Sequence, residues 1–376
     1  MKILIIGHTY TARVNRGKLY ELAKYGDVKI TVITPKIWPG DLLTEKSTGL
    51  NQGNIEILSL RAKYEGRGAR YFYFPNIMIS INRIKPDIIH VEEGAGAICY
   101  FQALVMKKLF VPKAKTLFFT WMNLRNRSRK PWTRFIERYN LRNSDYAIVG
   151  NEDGKQILLE KGFQKPIKAL PQLGINPDIY CKIDTSSLNK RLGLNYFVIG
   201  FAGRLVKEKG LIILISALSK IQGEYKLLLI GRGDLKDEII RLSRELNIIE
   251  KIIFIDAVSH EDIPKYLNCM DVLVLPSITI PIWKEQFGHI LIEAMACEVP
   301  VIGSTCGEIP NVIGNAGLIF KEGDATNLKQ KLEILMENKD LRDKLAKKGR
   351  ERVLEKYTNK KVAEETYLIY HKLLQD

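Results

Sequence analysis

The feature that most restricts this chain is one pattern that occurs twice. Short aliphatic, β-branched runs lie at 2–6 (KILII), 28–34, 55–60, 86–91 (PDIIHV), 115–120 (KTLFFT) and 146–149. Stretches able to form helices separate them, as at 16–24 and 97–108. A run apolar on both faces belongs inside a parallel sheet covered by helices, and strand–helix alternation builds βαβ units. A proline- and glycine-rich passage, PQLGINP at 171–177, and a polar one at 181–190 interrupt the pattern. It then restarts with strands at 197–202, 226–230, 252–255, 271–276, 300–303 and 317–320, and helices at 211–221, 236–246 and 261–268. The expectation is an α/β chain of two Rossmann-like, doubly wound domains facing each other across a cleft, with the boundary at 185/186.

The totals agree with two ordinary domains. The 376 residues are 46% hydrophobic and 27% charged, ample for two cores. Five scattered cysteines without a CxxC pair suggest reduced thiols, a cytoplasmic setting and no zinc site. The opening MKILIIGHTY is too short for a signal peptide, and the weakly polar stretch 95–106 is far below the ~20 residues of a membrane span. The net charge of +16 is uneven: residues 1–185 hold 30 basic and 16 acidic side chains (+14), and residues 186–376 hold 28 and 26 (+2).

The segment WKEQFGHILIEAMACEVPV, 283–301, follows the strand DVLVLP and reads as polar loop, then helix. Glu285 lies in the loop and Glu293 about a turn into the helix. Two carboxylates can hold hydroxyls while the helix start holds phosphate; on spacing alone they serve equally well as solvated charges at a helix end. The other strand ends of this half read GRLVKEKG, GRGD, DAVSHED and STCGEIP. Arg204 and Lys209, flanked by Gly203 and Gly210, suit the two phosphates of a diphosphate, or form a charged surface loop. A full GxGxxG, a P-loop and a D-x-D that would carry a metal–diphosphate are all missing.

Together GRLVKEKG, GRGD, DVLVLPS, the E-x7-E of Glu285 and Glu293, and GEIPNVIG resemble the retaining glycosyltransferases of the GT-B fold, the large family four of nucleotide-sugar enzymes. The motifs cover 197–320 in the family's order; PDIIHVEE, FFTWMN and LPQLGINP match more loosely. The resemblance implies an amino-terminal acceptor domain (1–185), a nucleotide-sugar donor domain (186–355) and a last helical segment (356–376) that crosses back onto the first. It implies transfer of a hexose from a nucleotide-sugar donor to a glycan or lipid-linked acceptor, with retention and with no metal or other cofactor. Arg204 and Lys209 would neutralise the leaving diphosphate, and Glu285 would hold the sugar. The backbone N–H groups of Phe287, Gly288 and His289 would meet sugar and phosphate, Glu293 the ribose, and Val258 the base. Many family members place a histidine where this chain has Trp121, followed by Asn123. Those two residues, with Glu92 and Glu93 at another strand end, are the candidates for the acceptor side. His90, inside its strand, reads as a core histidine. The glycine pair that often follows the family's first strand is also missing, since Gly7 leads into HTYTAR.

Between 107 and 142 eleven basic residues, among them Lys107 and Arg142, stand against one acid, Glu137, with Trp132, Phe135, Ile136 and Tyr139 at helical spacing. This reads as a helix lying on an anionic membrane surface, or as one packing on its own sheet with a solvated basic side. A nucleic-acid-binding protein would rest on charge alone, since no aromatic-laced RNA motif or helix-turn-helix accompanies it. Among enzymes, a nucleotide-sugar epimerase of similar fold is the rival reading, while a phosphorylase would need a pyridoxal lysine setting that is missing.

Overall fold

The computed structural model describes residues 1–40, 44–73, 76–125 and 130–375. The chain forms two compact units, Met1–Gly174 with Asn359–Asp376, and Ile175–Thr358. The first junction thus falls eleven residues before 185/186. Physical ties explain the shift: Ile175 bridges Thr358, and the Arg350 guanidinium donates to the carbonyls of Pro177 and Tyr180. These long-range bonds bind the segment after Gly174 to the second unit, and local composition does not report them.

The first unit carries strands β1 (Lys2–Ile6), β2 (Lys29–Pro35), a small hairpin β3 (Ile37–Pro39) and β4 (Thr44–Lys46), β5 (Leu50–Gln52), β6 (Ile55–Leu60), β7 (Ile88–Val91), β8 (Lys115–Thr120), β9 (Tyr146–Val149) and β10 (Ile167–Ala169). Its eight-stranded sheet has the order β10-β9-β8-β7-β1-β2-β6-β5. All pairs are parallel except the β5–β6 edge. Ile3, Leu4, Ile5 and Ile6 are fully buried, as a central strand covered on both faces requires. The helix Asn359–Gln375 packs Val362, Ala363, Ile369, Tyr370 and Leu373 into the same core cluster as Ile3 and Ile5.

The second unit carries β11 (Phe197–Ala202), β12 (Tyr225–Ile230), β13 (Ile252–Ile255), β14 (Val272–Leu275), β15 (Val301–Ser304) and β16 (Leu318–Phe320). They form a six-stranded parallel sheet in the order β13-β12-β11-β14-β15-β16. Each unit is therefore doubly wound by itself, growing outward in two directions from its first strand. No helix among the described residues is long and apolar enough to cross a membrane.

Candidate functional site

Open parallel sheets bind ligands outside the carboxyl ends of their strands, where growth reverses direction. In the second unit that place lies between β11 and β14. Gly203 and Arg204 follow β11, and Pro276 and Ser277 follow β14. Lys209 Nζ donates to Glu285 Oε2 at 2.6 Å, and the Ser277 hydroxyl donates to the same oxygen at 2.9 Å. The Lys209 ammonium also lies 5.0 Å from the centre of the Trp283 ring. The pair is largely enclosed, with 16% and 9% of the two side chains exposed, so water screens it little.

Two glycines make this arrangement sterically possible. Gly210 has φ 68°, and a Cβ there would stand 1.9 Å from the Pro276 carbonyl oxygen. Gly307 has φ 61°, and its Cβ would stand 2.0 Å from the carbonyl oxygen of Glu285, which accepts from the Glu308 N–H at 3.2 Å. Any side chain at either position pushes the loop away from the sheet edge.

Arg204 is the more open cation, with 43% of its side chain exposed and a guanidinium nitrogen 3.7 Å from Glu208 Oε1. Gly288 caps the helix His289–Ala296 in a left-handed conformation, and its carbonyl accepts from the Leu291 N–H at 2.9 Å. Glu293 does not join the Lys209–Glu285 pair. It bonds with the Tyr180 hydroxyl, and burial pushes its carboxyl up to about 7 despite that bond. Burial also lowers His289 to about 4, with Glu285 opposing and His260 adding to the fall, so its imidazole is neutral at pH 7. The Phe287 ring is buried, 4.8 Å from the His289 ring and edge-on to Tyr357 at 5.6 Å. Val258 sits half-buried in the loop after β13. Among the described residues no three His, Cys, Asp or Glu side chains gather as a metal ligand set.

In the first unit the candidates separate. Glu92 is enclosed: it receives Lys18 Nζ at 2.5 Å and the Tyr10 hydroxyl at 2.7 Å, all three residues being buried. Burial alone would raise its carboxyl, but Lys18 and its hydrogen bonds hold it below the usual range. The structure thus places Glu92, a candidate for the acceptor side, in an ion pair inside the unit. His90 is a core residue as expected, bonded through Nδ1 to the Tyr370 hydroxyl at 2.8 Å and lowered by burial to about 4. Trp121 Nε1 donates to Gln172 Oε1 at 2.9 Å, and its ring fills the space beside Gly150, where a Cβ would stand 2.1 Å from it. The indole is thus a packed wall, and the neighbouring Asn123 is buried. Glu93 bonds to a partly open side chain, His8.

Sequence reasoning missed Ser277, Trp283, Tyr180 and His8. Ser277 and His8 had a usable signal, since each follows a central strand at the ligand-binding edge. Tyr180 had none, because it meets Glu293 from a distant segment.

A family model described as glycosyl transferases group 1 matches residues 184–352. The N-acetyl-alpha-D-glucosaminyl L-malate synthase of Bacillus anthracis is 30% identical over 77% of this chain and 76% of its own. The capsular polysaccharide biosynthesis glycosyltransferase CapM of Staphylococcus aureus is 32% identical over 48% of this chain and 47% of its own. Among solved structures, a glycosyltransferase from Rickettsia africae superposes with a TM-score of 0.77 at 20% identity, covering 100% of this chain and 99% of that one. The HepE protein of Anabaena, in complex with UDP, gives 0.76 at 16% identity, covering 99% and 100%. At such identities the likeness is one of fold, two doubly wound units of the GT-B kind.

Proposed function

The chain belongs to the group 1 glycosyltransferases, and from that premise we propose that it moves a hexose from a nucleotide-sugar donor to a hydroxyl of a glycan or lipid-linked acceptor, with retention at the anomeric carbon and without a metal. The observation that carries this reading is the Lys209–Glu285–Ser277 cluster at the strand reversal of the second sheet.

Arg204 and Lys209 take the diphosphate. As the bond from the anomeric carbon to the phosphate oxygen breaks, negative charge grows on the leaving group, and cations already fixed beside it favour that transition state. Glu285 accepts hydroxyls of the sugar, and the amides of Phe287, Gly288 and His289 at the helix start meet sugar and phosphate. Glu293 accepts the ribose hydroxyls, and the backbone of Val258 lies along the base. The acceptor oxygen forms its bond to the anomeric carbon on the face the phosphate leaves, and the hydroxyl proton passes to the leaving phosphate. The epimerase reading is set aside because the relatives are named as transferases and synthases. UDP is the first nucleotide to try, since it is bound in the HepE structure.

A thermal-shift panel of UDP-, GDP- and ADP-sugars tests the donor. Ligand at a hundred times its Kd stabilises the folded state by about 2.7 kcal/mol, and no shift with any donor refutes the reading. Donor interconverted without acceptor would make the protein an epimerase after all.

One surface favours a membrane location on the cytoplasmic side. On the helix Pro131–Arg142, Arg134, Arg138 and Arg142 recur every fourth residue beside the exposed rings of Trp132 (44%) and Phe135 (61%). None of the three arginines has an ion-pair partner among the described residues, whereas Glu137 pairs with Lys161 at 2.6 Å. Leu109, 66% exposed, lies at the end of the helix Ile98–Phe110, which packs against this one. Unpaired arginines next to exposed aromatics suit lipid phosphates and the interface beneath them. Arg127 and Arg129, counted in the basic stretch, lie outside the described residues.

A further inference from the structure

One polar constellation in the first unit has no part in that reaction scheme. Growth of the first sheet reverses between β1 and β7, the counterpart of the donor edge in the second. His8 follows β1 and Glu93 follows β7. The His8 backbone N–H donates to Glu93 Oε1 at 3.1 Å, His8 Nδ1 bonds to the same oxygen, and the Tyr71 hydroxyl donates to it at 2.8 Å. Glu93 itself is buried.

Glu93 Oε1 already accepts from the His8 N–H and the Tyr71 hydroxyl, so Nδ1 meets it as a donor and, in that tautomer, the lone pair stands on Nε2. The ring's rotation is fixed as well. It stacks on Trp38 at 4.2 Å with 24° between planes, and meets Tyr71 edge-on at 6.1 Å. The His8 side chain keeps 29% of its surface exposed. Nε2 has no hydrogen-bond partner among the described residues. Enclosing a carboxylate is costly, and here three donors offset that cost while fixing which imidazole nitrogen carries the lone pair. A loop residue that merely packed would need neither the carboxylate nor the fixed tautomer.

We propose that His8 is the hydroxyl-binding residue of the first unit: Nε2 accepts a hydrogen bond from a polyhydroxylated ligand, and Glu93 is its positioning residue. The class of ligand is a neutral polyol, met through a donated O–H. This deepens the transferase reading and rests on it for one point, that the polyol is the acceptor.

Ring nitrogen NMR on the full chain labelled with 15N-histidine tests the proposal, with His8 assigned through His8→Gln. The neutral ring is expected as the Nδ1–H tautomer. Adding glycerol, mannitol or methyl glucopyranoside should move the Nε2 resonance upfield, and Glu93→Leu, which removes the acceptor oxygen, should remove both the tautomer preference and the response. An Nε2–H tautomer, an Nε2 resonance unmoved by all three polyols, or an unaltered response in Glu93→Leu overturns the proposal. Both variants should keep the wild-type thermal shift with UDP-sugars, which serves as the check on folding. A wild-type chain with no nucleotide response would sink the transferase reading and leave the polyol result to be judged by itself.

Discussion

Lys209 Nζ lies 2.6 Å from Glu285 Oε2, so the two side chains proposed to take the donor's phosphate and sugar hold each other in place. The pair holds both groups at the sheet edge. In the proposed reaction a donor would share Lys209 between phosphate and Glu285, with little reorganisation at the moment of reaction.

Lys209→Met tests that coupling. It strands Glu285 in a largely enclosed place and should destabilise the second unit by about 2 kcal/mol, while removing donor turnover by at least a hundredfold. Lys209→Met/Glu285→Gln should recover much of the stability and none of the turnover. Denaturant melts with an assay of nucleoside diphosphate release check both; a turnover near wild type in the single variant refutes the assignment.

Gly210→Ala probes the backbone instead of the charge. With φ 68° and a carbonyl oxygen 1.9 Å from the new Cβ, the loop must shift, at roughly 2 kcal/mol or more of stability. UDP-sugar binding should weaken although no charged group has changed. Equal melting temperatures for variant and wild type would show that the loop yields without cost.

Glu293 gives a pH dependence with a definite sign. Its folded pKa, about 7, lies above the ordinary value of 4.5, so the folded chain holds an extra proton between those limits. Its contribution to stability is full below about 4.5 and is lost as pH rises through 7. Because Glu293 is only partly shielded by its neighbours, the loss should be about 1–2 kcal/mol, less than the full shift implies. Glu293→Gln should flatten that part of the melting-temperature profile. A ribose site needs the ionised form as acceptor, so the nucleotide thermal shift should grow from pH 6 to pH 8 in wild type alone.

Lys18→Met asks whether the first unit's buried pair is structural. Removing one partner of an enclosed ion pair costs about 3–5 kcal/mol, against no direct effect on a nucleotide bound in the other unit. A variant that melts as wild type would return Glu92 to the acceptor candidates.

The basic helix is tested with vesicles. Sedimentation with phosphatidylglycerol vesicles at low salt should pull the chain down, phosphatidylcholine alone should not, and Arg134→Glu/Arg138→Glu should cut binding at least tenfold. Absence of binding to the anionic vesicles removes the membrane reading.

Much of this protein was legible along the chain. Strands such as 2–6, 55–60, 115–120 and 252–255 have in the structure the bounds their runs suggest; 2–6 and 115–120 are buried along nearly their whole length, which an apolar run reports directly. The hairpin at Ile37–Pro39 and Thr44–Lys46 was not legible, being short and exposed, with no such periodicity.

The sequence by itself determined two doubly wound units and the strand-end loops that bear Arg204, Lys209, Glu285 and Glu293, since periodicity and strand ends are local properties. Tertiary structure decided which of those groups meet. It joined Lys209 to Glu285 and gave Glu293 to Tyr180. It enclosed Glu92 with Lys18 and turned Glu93 toward His8, pairs separated by 74 and 85 positions. Partners that far apart are brought together by sheet order and helix packing, and neither residue's own neighbourhood records the other.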